Sequence, residues 1–263
     1  MRHPALCNLV CFAALLFSCI PVSSAVASES RVALVIGQSA YRAVPALPNA
    51  SNDAKRMSDL LGSAGFDVTA APDLSQGDMR QAISNFANKV TSSGPDTVAL
   101  VFYAGHGLQI DGENYLVPVD VDPRREADIP LQAVRLNDLL NTLGALHTRM
   151  RILMLDACRD NPFAPTMQRT IALKLVDKGF SNIEPSTGIM VVYAAKHGET
   201  ALDGEGKDSP FATAVARNLR EHVEVRKLFD IVRDDVWTAT QHRQQPFTYG
   251  SPPGREDFYF AGK

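Results

Sequence analysis

Two short apolar stretches decide the fold: VALVFYAGHG at residues 98–107 and RILMLDACR at residues 151–159. Each is a run of strand-forming residues that ends in small or polar residues and carries one reactive side chain, His106 in the first and Cys158 in the second. Apolar runs of this length are typical of strands buried on both faces of a parallel sheet. Because functional groups in such sheets gather at the carboxyl ends of the strands, we expect His106 and Cys158 to lie close together on neighbouring strands.

Strand and helix patterns alternate along the rest of the chain. Ser209 followed by Pro210 is typical of a helix start, with the serine as N-cap and the proline in the first turn. The alternation predicts βαβ units and an α/β fold, with a mainly parallel sheet between helices. Further strands are predicted near residues 31–37, 65–69, 115–117 and 189–193, with a candidate final strand at 258–260, and helices near 78–90, 136–143, 210–220 and 226–241. Another helix is predicted to reach about Leu61, with Asn49, Ser51 and Asn52 as alternative N-caps.

The first 27 residues have the pattern of a signal peptide. Arg2 supplies a basic start, residues 9–22 are mostly apolar, and Ala25-Val26-Ala27 has the small-x-small form of a cleavage site. We therefore expect cleavage before Ser28, export to the periplasm or out of the cell, and one mature domain over residues 28–263.

Two other interpretations of the leader stay open. It could be retained as a membrane anchor, although its apolar run is short for a membrane span. Alternatively, Cys19 could be acylated as in a lipoprotein, although Phe17 fits such a site poorly. If the leader is cleaved, no stable membrane span is expected in the mature protein.

Cysteine usage favours a reactive thiol. Three of the four cysteines, at positions 7, 11 and 19, lie in the leader, so the mature chain keeps Cys158 alone. A single thiol cannot form an internal disulfide in an oxidising compartment. It is either an inert buried residue or a group kept for chemistry. The lack of a resolving partner favours a nucleophile, and no Cys/His spacing suggests a zinc site.

Composition and motifs argue against several other classes of function. A net charge of −3 with no basic stripe gives no reason to expect a nucleic-acid partner. The strand that ends at Gly37 is followed by residues 38–40, QSA, rather than by the further glycines of a dinucleotide site. No cofactor is expected. The acidic segment 120–128 could bind calcium in principle, but it lacks the pattern of an EF-hand loop.

The paired His and Cys suit the chemistry of a cysteine peptidase. Such an enzyme needs a thiolate, a nearby imidazole that exchanges protons, and donors for the oxyanion. Cys158 is the candidate nucleophile and His106 the candidate base, while the backbone N–H groups of Gly107 and Cys158 are the candidate oxyanion hole. The simpler interpretation is that His106 is structural and both strands merely end in small residues. The occurrence of both residues at the ends of two buried strands favours the chemical interpretation.

The sequence resembles the caspase-like peptidases, particularly their bacterial members related to metacaspases. The resemblance covers nearly all of residues 31–260. It implies a caspase-hemoglobinase fold with a mainly parallel six-stranded sheet between helices, a His/Cys dyad, and endopeptidase activity on protein or peptide substrates. The segments that carry it are VALVIG at 32–37, NDA at 52–54, YAGHG at 103–107, DACRD at 156–160, YAA at 193–195 and SPF at 209–211.

The resemblance also implies a substrate preference at P1, the residue before the scissile bond. In caspases arginines of the S1 pocket hold a P1 Asp, and Leu202-Asp203 stands here where one of those arginines lies. Metacaspases use acids instead, and Asp53 and Asp156 match two of their positions; Ala104 departs from the Ser of several metacaspases. An S1 pocket of Asp53, Asp156 and Asp203 would bind Arg or Lys and repel Asp.

Alternatives to this assignment also stay open. Asp53 could be an ordinary acid favoured by a helix dipole, and Asp203 a solvated loop residue. If the pocket is acidic, Arg169, Lys174 and Lys178 become candidate self-cleavage sites in the segment after the candidate nucleophile. The chain could instead be a catalytically silent caspase-fold interaction module, or a flavodoxin-like small-molecule binder, although it lacks a phosphate-binding glycine loop.

Overall fold

The computed structural model describes most of the chain after the leader. The described residues are 29–158, 162, 163, 165, 167, 188–196, 201–204, 206–250, 252–254 and 256–262, and Cys158 is described by its backbone. The predicted signal peptide, with the alternative acylation site Cys19, lies outside the described residues. So do the candidate self-cleavage sites Arg169, Lys174 and Lys178.

Strands and helices alternate through the described residues, as the sequence predicts. No helix there is both long and apolar enough to cross a membrane. The elements are β1 (Ser30–Gly37), α1 (Pro48–Ser63), β2 (Asp67–Pro72), α2 (Gln76–Ser93), β3 (Thr97–Ile110), β4 (Glu113–Leu116), a 3₁₀ turn (Glu126–Asp128), α3 (Ile129–Gln132), β5 (Val134–Arg135), α4 (Leu136–Ala145), β6 (Met150–Cys158), β7 (Ile189–Tyr193), α5 (Pro210–Asn218), α6 (Val225–Ala239) and β8 (Phe247–Gly250).

The sheet has six strands on its main path, in the order β2-β1-β3-β6-β7-β8. The first five strands are parallel to their neighbours, and β8 joins the edge of the sheet antiparallel to β7. The short strands β4 and β5 extend β3 on one side, off this path. The predicted α/β fold with a mainly parallel six-stranded sheet is therefore confirmed.

Helices cover both faces of the sheet because the central strands are apolar on both sides. Val98, Leu100 and Phe102 of β3 pack toward α1, α5 and α6. The alternate residues, Ala99 and Val101, pack toward α2 and α4. Full burial of one Val, Leu or Phe side chain stabilises the fold by about 1.5–3 kcal/mol, so these continuous apolar runs hold β3 at the centre of the molecule.

The strand β3 does not end at His106. It continues into a hairpin with β4, and the turn at Asp111-Gly112 has positive φ angles of 50° and 81°. These angles suit a two-residue hairpin turn, in which both central residues need positive φ. The strand therefore extends beyond the stretch that the sequence predicts: the parallel pairing of β3 with β6 ends at His106, but β3 runs on to Ile110.

The predicted final strand at 258–260 is also wrong. Tyr259 makes one isolated antiparallel bridge to Glu224, while the last strand is β8. The apolar residues Phe258 and Phe260 are buried against Phe66 in the core under α1, which explains why this segment has a strand-like pattern. β8 gives a weak apolar signal because it is an edge strand with mostly exposed side chains.

Candidate active site

His106 and Cys158 are direct neighbours at the carboxyl edge of the parallel sheet. The strands β3 and β6 run side by side, and the backbone register pairs His106 with Cys158 as the last pair of that ladder. The fold therefore brings the candidate base and the candidate nucleophile to the same level on adjacent strands. Their chemical roles stay predictions.

Two tyrosine hydroxyls hold the backbone on either side of His106. The His106 N–H donates to Tyr41 Oη at 2.7 Å, and Tyr103 Oη donates to the His106 carbonyl, also at 2.7 Å. The Tyr41 ring also packs on the imidazole, with ring centroids 4.6 Å apart and an angle of 44° between the planes. Tyr41 and Tyr103 thus fix the orientation of the peptide from which the His106 side chain projects.

The same hydroxyls join β3 to the chain that follows β4. Tyr41 Oη donates to the Val117 carbonyl at 3.3 Å, and the Val117 N–H donates to Tyr103 Oη at 3.1 Å. Gly105 makes room for both rings, because a Cβ there would lie 2.8 Å from Tyr41 Oη and 2.9 Å from Tyr103 Oη. A glycine is therefore required one residue before His106.

The His106 side chain is half-buried. Burial lowers its pKa, and the charge of Asp203 opposes this effect by raising it. Nδ1 is buried and accepts or donates no hydrogen bond within the described part of the chain. A lowered pKa keeps the imidazole neutral near pH 7, which is the form that can accept a proton.

The backbone around His106 leaves a donor facing away from β4. In the hairpin ladder Gly107 pairs with Leu116, and the Val117 N–H donates to the His106 carbonyl at 3.1 Å. Because hydrogen-bonded and non-hydrogen-bonded pairs alternate in antiparallel strands, Gly107 and Leu116 form a pair that exchanges no ladder hydrogen bond. The Gly107 N–H is thus directed away from β4, as an oxyanion donor would need to be.

Two of the three predicted S1 acids form a buried pair. Asp53 lies on α1 and Asp156 on β6, and their residues are 2% and 8% exposed. Ser209 joins them: its N–H donates to Asp53 Oδ1 at 2.9 Å, and its hydroxyl donates to Asp156 Oδ2 at 2.5 Å. Since Asp156 precedes Cys158 by two residues, this pair lies beside the candidate nucleophile.

Burial makes both carboxyls hold their protons more strongly. It raises the pKa of Asp53 to about 8, with the charge of Asp156 as the second cause. It raises the pKa of Asp156 to about 7, and the charge of Asp203 adds to this effect. No Lys or Arg among the described residues forms an ion pair with either carboxyl. The pair therefore lacks a counter-ion there.

The third predicted acid, Asp203, is exposed on the loop before α5. Asn49 Nδ2 donates to the Asp203 carbonyl at 2.5 Å, and the buried Gln244 accepts from the Leu202 N–H at 3.0 Å. Asp203 affects the pKa of both His106 and Asp156. The structure thus places it within electrostatic reach of both, at the surface rather than beside the buried pair.

The same loop is tied to α1 at its other end. Asn52 Nδ2 donates to the Lys207 carbonyl at 2.8 Å, and Arg56 forms an ion pair with Asp208. These contacts fix the loop against the helix that carries Asp53.

Acidic residues of the segment 120–128 accept hydrogen bonds from other residues of the protein. Asp120 Oδ1 accepts from the Gln76 N–H at 3.0 Å, and Asp128 accepts from the N–H groups of Arg124 and Arg125. Hydrogen bonds from Arg125 lower the pKa of Asp128. Within the described ranges, no group of three or more His, Cys, Asp or Glu side chains is arranged to hold a metal ion.

The sequence does not indicate two features of the site. It predicts Ser209 as an N-cap, which its acceptance of the Ala212 N–H confirms, but it does not predict the hydrogen bonds of Ser209 to the two acids. Nor does it predict the contacts of Tyr41 and Tyr103. A polar helix cap next to a loop rich in Gly and acids was the available signal for Ser209; Tyr41 gave none, since it lies 65 positions before His106.

The comparisons with known proteins identify the class of the domain. The mainly parallel sheet between helices is the fold of caspase-like proteins of known structure. A family model described as Caspase domain matches residues 30–256, and the chain belongs to that family. The domain is thus caspase-like.

Two curated relatives match this chain at low sequence identity. The chain is 26% identical over 214 residues to human mucosa-associated lymphoid tissue lymphoma translocation protein 1, and 25% identical to the mouse homologue. The match covers 80% of this chain and 24% of either relative, so the chain spans about a quarter of their length.

Solved structures share the fold at lower identity. Protein GSU0716 of Geobacter sulfurreducens superposes with a TM-score of 0.65 at 15% identity, over 88% of this chain and 98% of that one. Caspase-1 of Spodoptera frugiperda superposes with a TM-score of 0.59 at 15% identity, over 89% of this chain and 90% of its own. At these identities the likeness shows the fold alone.

Proposed function

We propose that this chain is a cysteine endopeptidase that cuts protein or peptide substrates after Arg or Lys. The observation that carries the proposal is the buried carboxyl pair of Asp53 and Asp156, which has no counter-ion among the described residues. Asp156 precedes Cys158 by two residues on the same strand. Burying an unpaired carboxylate is unfavourable, and a second one beside it makes ionisation less favourable still. A cationic P1 side chain would supply the missing positive charge.

The reaction begins with proton transfer from the Cys158 thiol to the neutral His106 imidazole. The thiolate attacks the scissile carbonyl carbon, and the N–H groups of Gly107 and Cys158 donate to the resulting oxyanion. The imidazolium then gives its proton to the leaving amine as the C–N bond breaks, which leaves a thioester on Cys158. His106 takes a proton from water as the water oxygen attacks the thioester carbonyl carbon. The C–S bond then breaks, the imidazolium returns the proton to the Cys158 thiolate, and the carboxylic acid product is released.

Substrate selection follows from charge. A guanidinium or ammonium group enters between Asp53 and Asp156 and favours their ionised forms, so binding releases protons that the empty pocket holds near neutral pH. Asp203 adds negative charge near the surface of the same region. A P1 Asp would meet like charge and an unfavourable desolvation, and the pocket rejects it.

Cleavage of a P1-scanned peptide set tests this function. The protein beginning at Ser28 is assayed in reducing buffer, with and without calcium, beside Cys158→Ala and His106→Ala. Hydrolysis after Arg and Lys is expected, with a loss of about 10³-fold or more in each variant. Cleavage after Asp would overturn the acidic pocket while keeping the nucleophile. No hydrolysis in any condition would favour a silent interaction module.

Export is a second part of the proposal. Residues 1–27 supply the basic start, apolar run and cleavage motif of a signal peptide. Expression of the full chain in a Gram-negative host, followed by N-terminal sequencing of the periplasmic protein, should yield Ser28 as the first residue. An intact leader on cytoplasmic protein would contradict export, and an acylated Cys19 would replace cleavage before Ser28 by lipoprotein processing.

A further inference from the structure

We propose that Ser209 is the positioning residue that sets the charge and geometry of the acidic pocket, and thereby the selection of basic P1 side chains. This inference rests on the proposed function. It assigns to Ser209 a role separate from the two acids: the serine touches neither the scissile bond nor the reacting atoms and acts through Asp53 and Asp156.

Ser209 donates a hydrogen bond to one oxygen of each acid. Asp53 Oδ1 accepts its N–H, and Asp156 Oδ2 accepts its hydroxyl. In the described part of the chain, no residue other than Ser209 donates a hydrogen bond to either carboxyl. Two acids from sequence-distant elements, α1 and β6, are thus held by one residue.

The start of α5 fixes the direction of the Ser209 hydroxyl. Its oxygen accepts the N–H of Ala212 as the N-cap of this nine-residue helix, so its single proton is available for Asp156. Ser209 is 3% exposed, which keeps water from replacing it in this role. The positive end of the α5 dipole adds to the same effect on Asp156.

Hydrogen bonds from Ser209 favour the ionised form of each acid, against the effect of burial. The described charged groups that act on the pair are Asp203 and Asp208 from the loop before α5. Arg56 of α1 is paired with Asp208. Arg56 is thus engaged by another acid, and among the described residues Ser209 is the group whose hydrogen bonds oppose protonation of the pair.

The direction of the effect follows from this balance. Without the Ser209 hydroxyl, Asp156 stays buried but loses the hydrogen bond that lowers its pKa. Its carboxyl therefore keeps its proton to higher pH. A basic P1 side chain then has to compete with that proton near neutral pH. The KM for basic substrates rises, and raising the pH restores binding. The kcat changes little, because Ser209 touches no reacting atom.

Four variants separate this role from simple helix capping. Ser209→Ala and Ser209→Gly remove the hydroxyl, and Gly is itself an acceptable N-cap, so it carries the test if the Ala variant does not fold. Ser209→Thr keeps a hydroxyl. Ser75→Ala removes the equivalent cap of α2, which accepts the Asp78 N–H away from the pocket, and is the matched control.

The measurement is kcat and KM for a P1 Arg peptide between pH 5.5 and 9. At pH 7 we expect the KM of Ser209→Ala and Ser209→Gly to rise about tenfold, with the profile of kcat/KM displaced by about one pH unit to the alkaline side. Ser209→Thr should stay near wild type. Ser75→Ala should lower the melting temperature comparably but leave KM and the pH profile unchanged.

The outcomes distinguish the two proposals. If wild type cleaves after Arg and the Ala and Gly variants keep its KM and pH profile, the role of Ser209 is overturned and the acidic pocket stands. If Ser75→Ala moves the profile equally, the effect is one of general stability and the role of Ser209 is again overturned. If wild type shows no basic preference, the proposed specificity fails, and the role of Ser209 fails with it.

Discussion

At the scale of single residues, the buried carboxyls of Asp53 and Asp156 oppose the stability of the fold. Their raised pKa values mean that the folded state binds more protons than the unfolded state between about pH 4 and pH 8. The free energy of unfolding therefore falls as the pH rises through that range. Residues that lower stability in this way are typical of sites kept for a ligand.

Asp53→Asn should consequently stabilise the protein at pH 8, by about 2 kcal/mol, while the gain shrinks toward pH 4. The amide oxygen can still accept the Ser209 N–H, and no charge remains to be buried. Urea unfolding at pH 5 and pH 8 measures the difference. Asp59→Asn, an exposed acid of the same helix paired with Lys55, is the control and should change little. A variant less stable than wild type at pH 8 would contradict the account.

Tyr41 gives a second prediction at this scale. Tyr41→Phe keeps the ring against the imidazole but removes the acceptor of the His106 N–H and the donor to the Val117 carbonyl. We expect kcat for a P1 Arg peptide to fall by about tenfold, because the His106 imidazole loses its fixed orientation. KM should stay nearly unchanged, because the acids of the S1 pocket are not altered. Tyr259→Phe, near the C-terminal end, is the matched control. An unchanged kcat in Tyr41→Phe would show that the hydroxyl does not orient His106.

At the scale of elements, the parallel pairing of β3 and β6 was predictable and the edges of the sheet were not. The continuous apolar runs at 98–105 and 151–157 have few alternatives to buried parallel strands. In contrast, β8 is an edge strand whose exposed side chains leave no alternating pattern, and residues 258–260 are apolar because they pack on the core as irregular chain. A one-dimensional pattern does not separate burial in a strand from burial beside one.

The same limit applies to the site. The adjacency of His106 and Cys158 follows from two neighbouring strands, so it could be expected from the sequence. The link from Ser209 to Asp53 spans 156 positions and that from Tyr41 to His106 spans 65, and only the packing of α1 and α5 on the sheet brings them together. Acids at matching family positions were recognisable; the serine that joins them was not.

Gly105→Ala tests the close packing between β3 and the elements that hold His106. The added Cβ would lie 2.9 Å or less from Tyr41 Oη, Gln38 Cβ and Tyr103 Oη, and two of these belong to the groups that hold His106. We expect a loss of about 2–3 kcal/mol in the free energy of unfolding together with lower kcat. Gly62→Ala, where nothing lies within 4 Å, should keep or raise stability. Equal stability of the two variants would contradict the packing argument.

At the scale of the whole molecule, stability and activity should change in opposite directions with pH. Ionisation of the Asp53–Asp156 pair between about pH 6 and pH 8 destabilises the fold and prepares the pocket for a cation. The melting temperature of the ligand-free protein should fall over this range while kcat/KM for a P1 Arg peptide rises. Both are measured on the same samples, with Asp53→Asn as the control that flattens both trends. Parallel rises in stability and activity would contradict the assignment.

The most direct test of the central claim compares P1 Arg with P1 citrulline, its neutral isostere, in otherwise identical peptides. For wild type at pH 8 we expect kcat/KM to favour Arg by about 100-fold or more, because the carboxyl pair provides charge-assisted hydrogen bonds to a cation alone. In the double variant Asp53→Asn, Asp156→Asn the preference should collapse to within about tenfold. Equal cleavage of the two peptides by wild type, or an undiminished preference in the double variant, would show that this buried pair does not select the substrate.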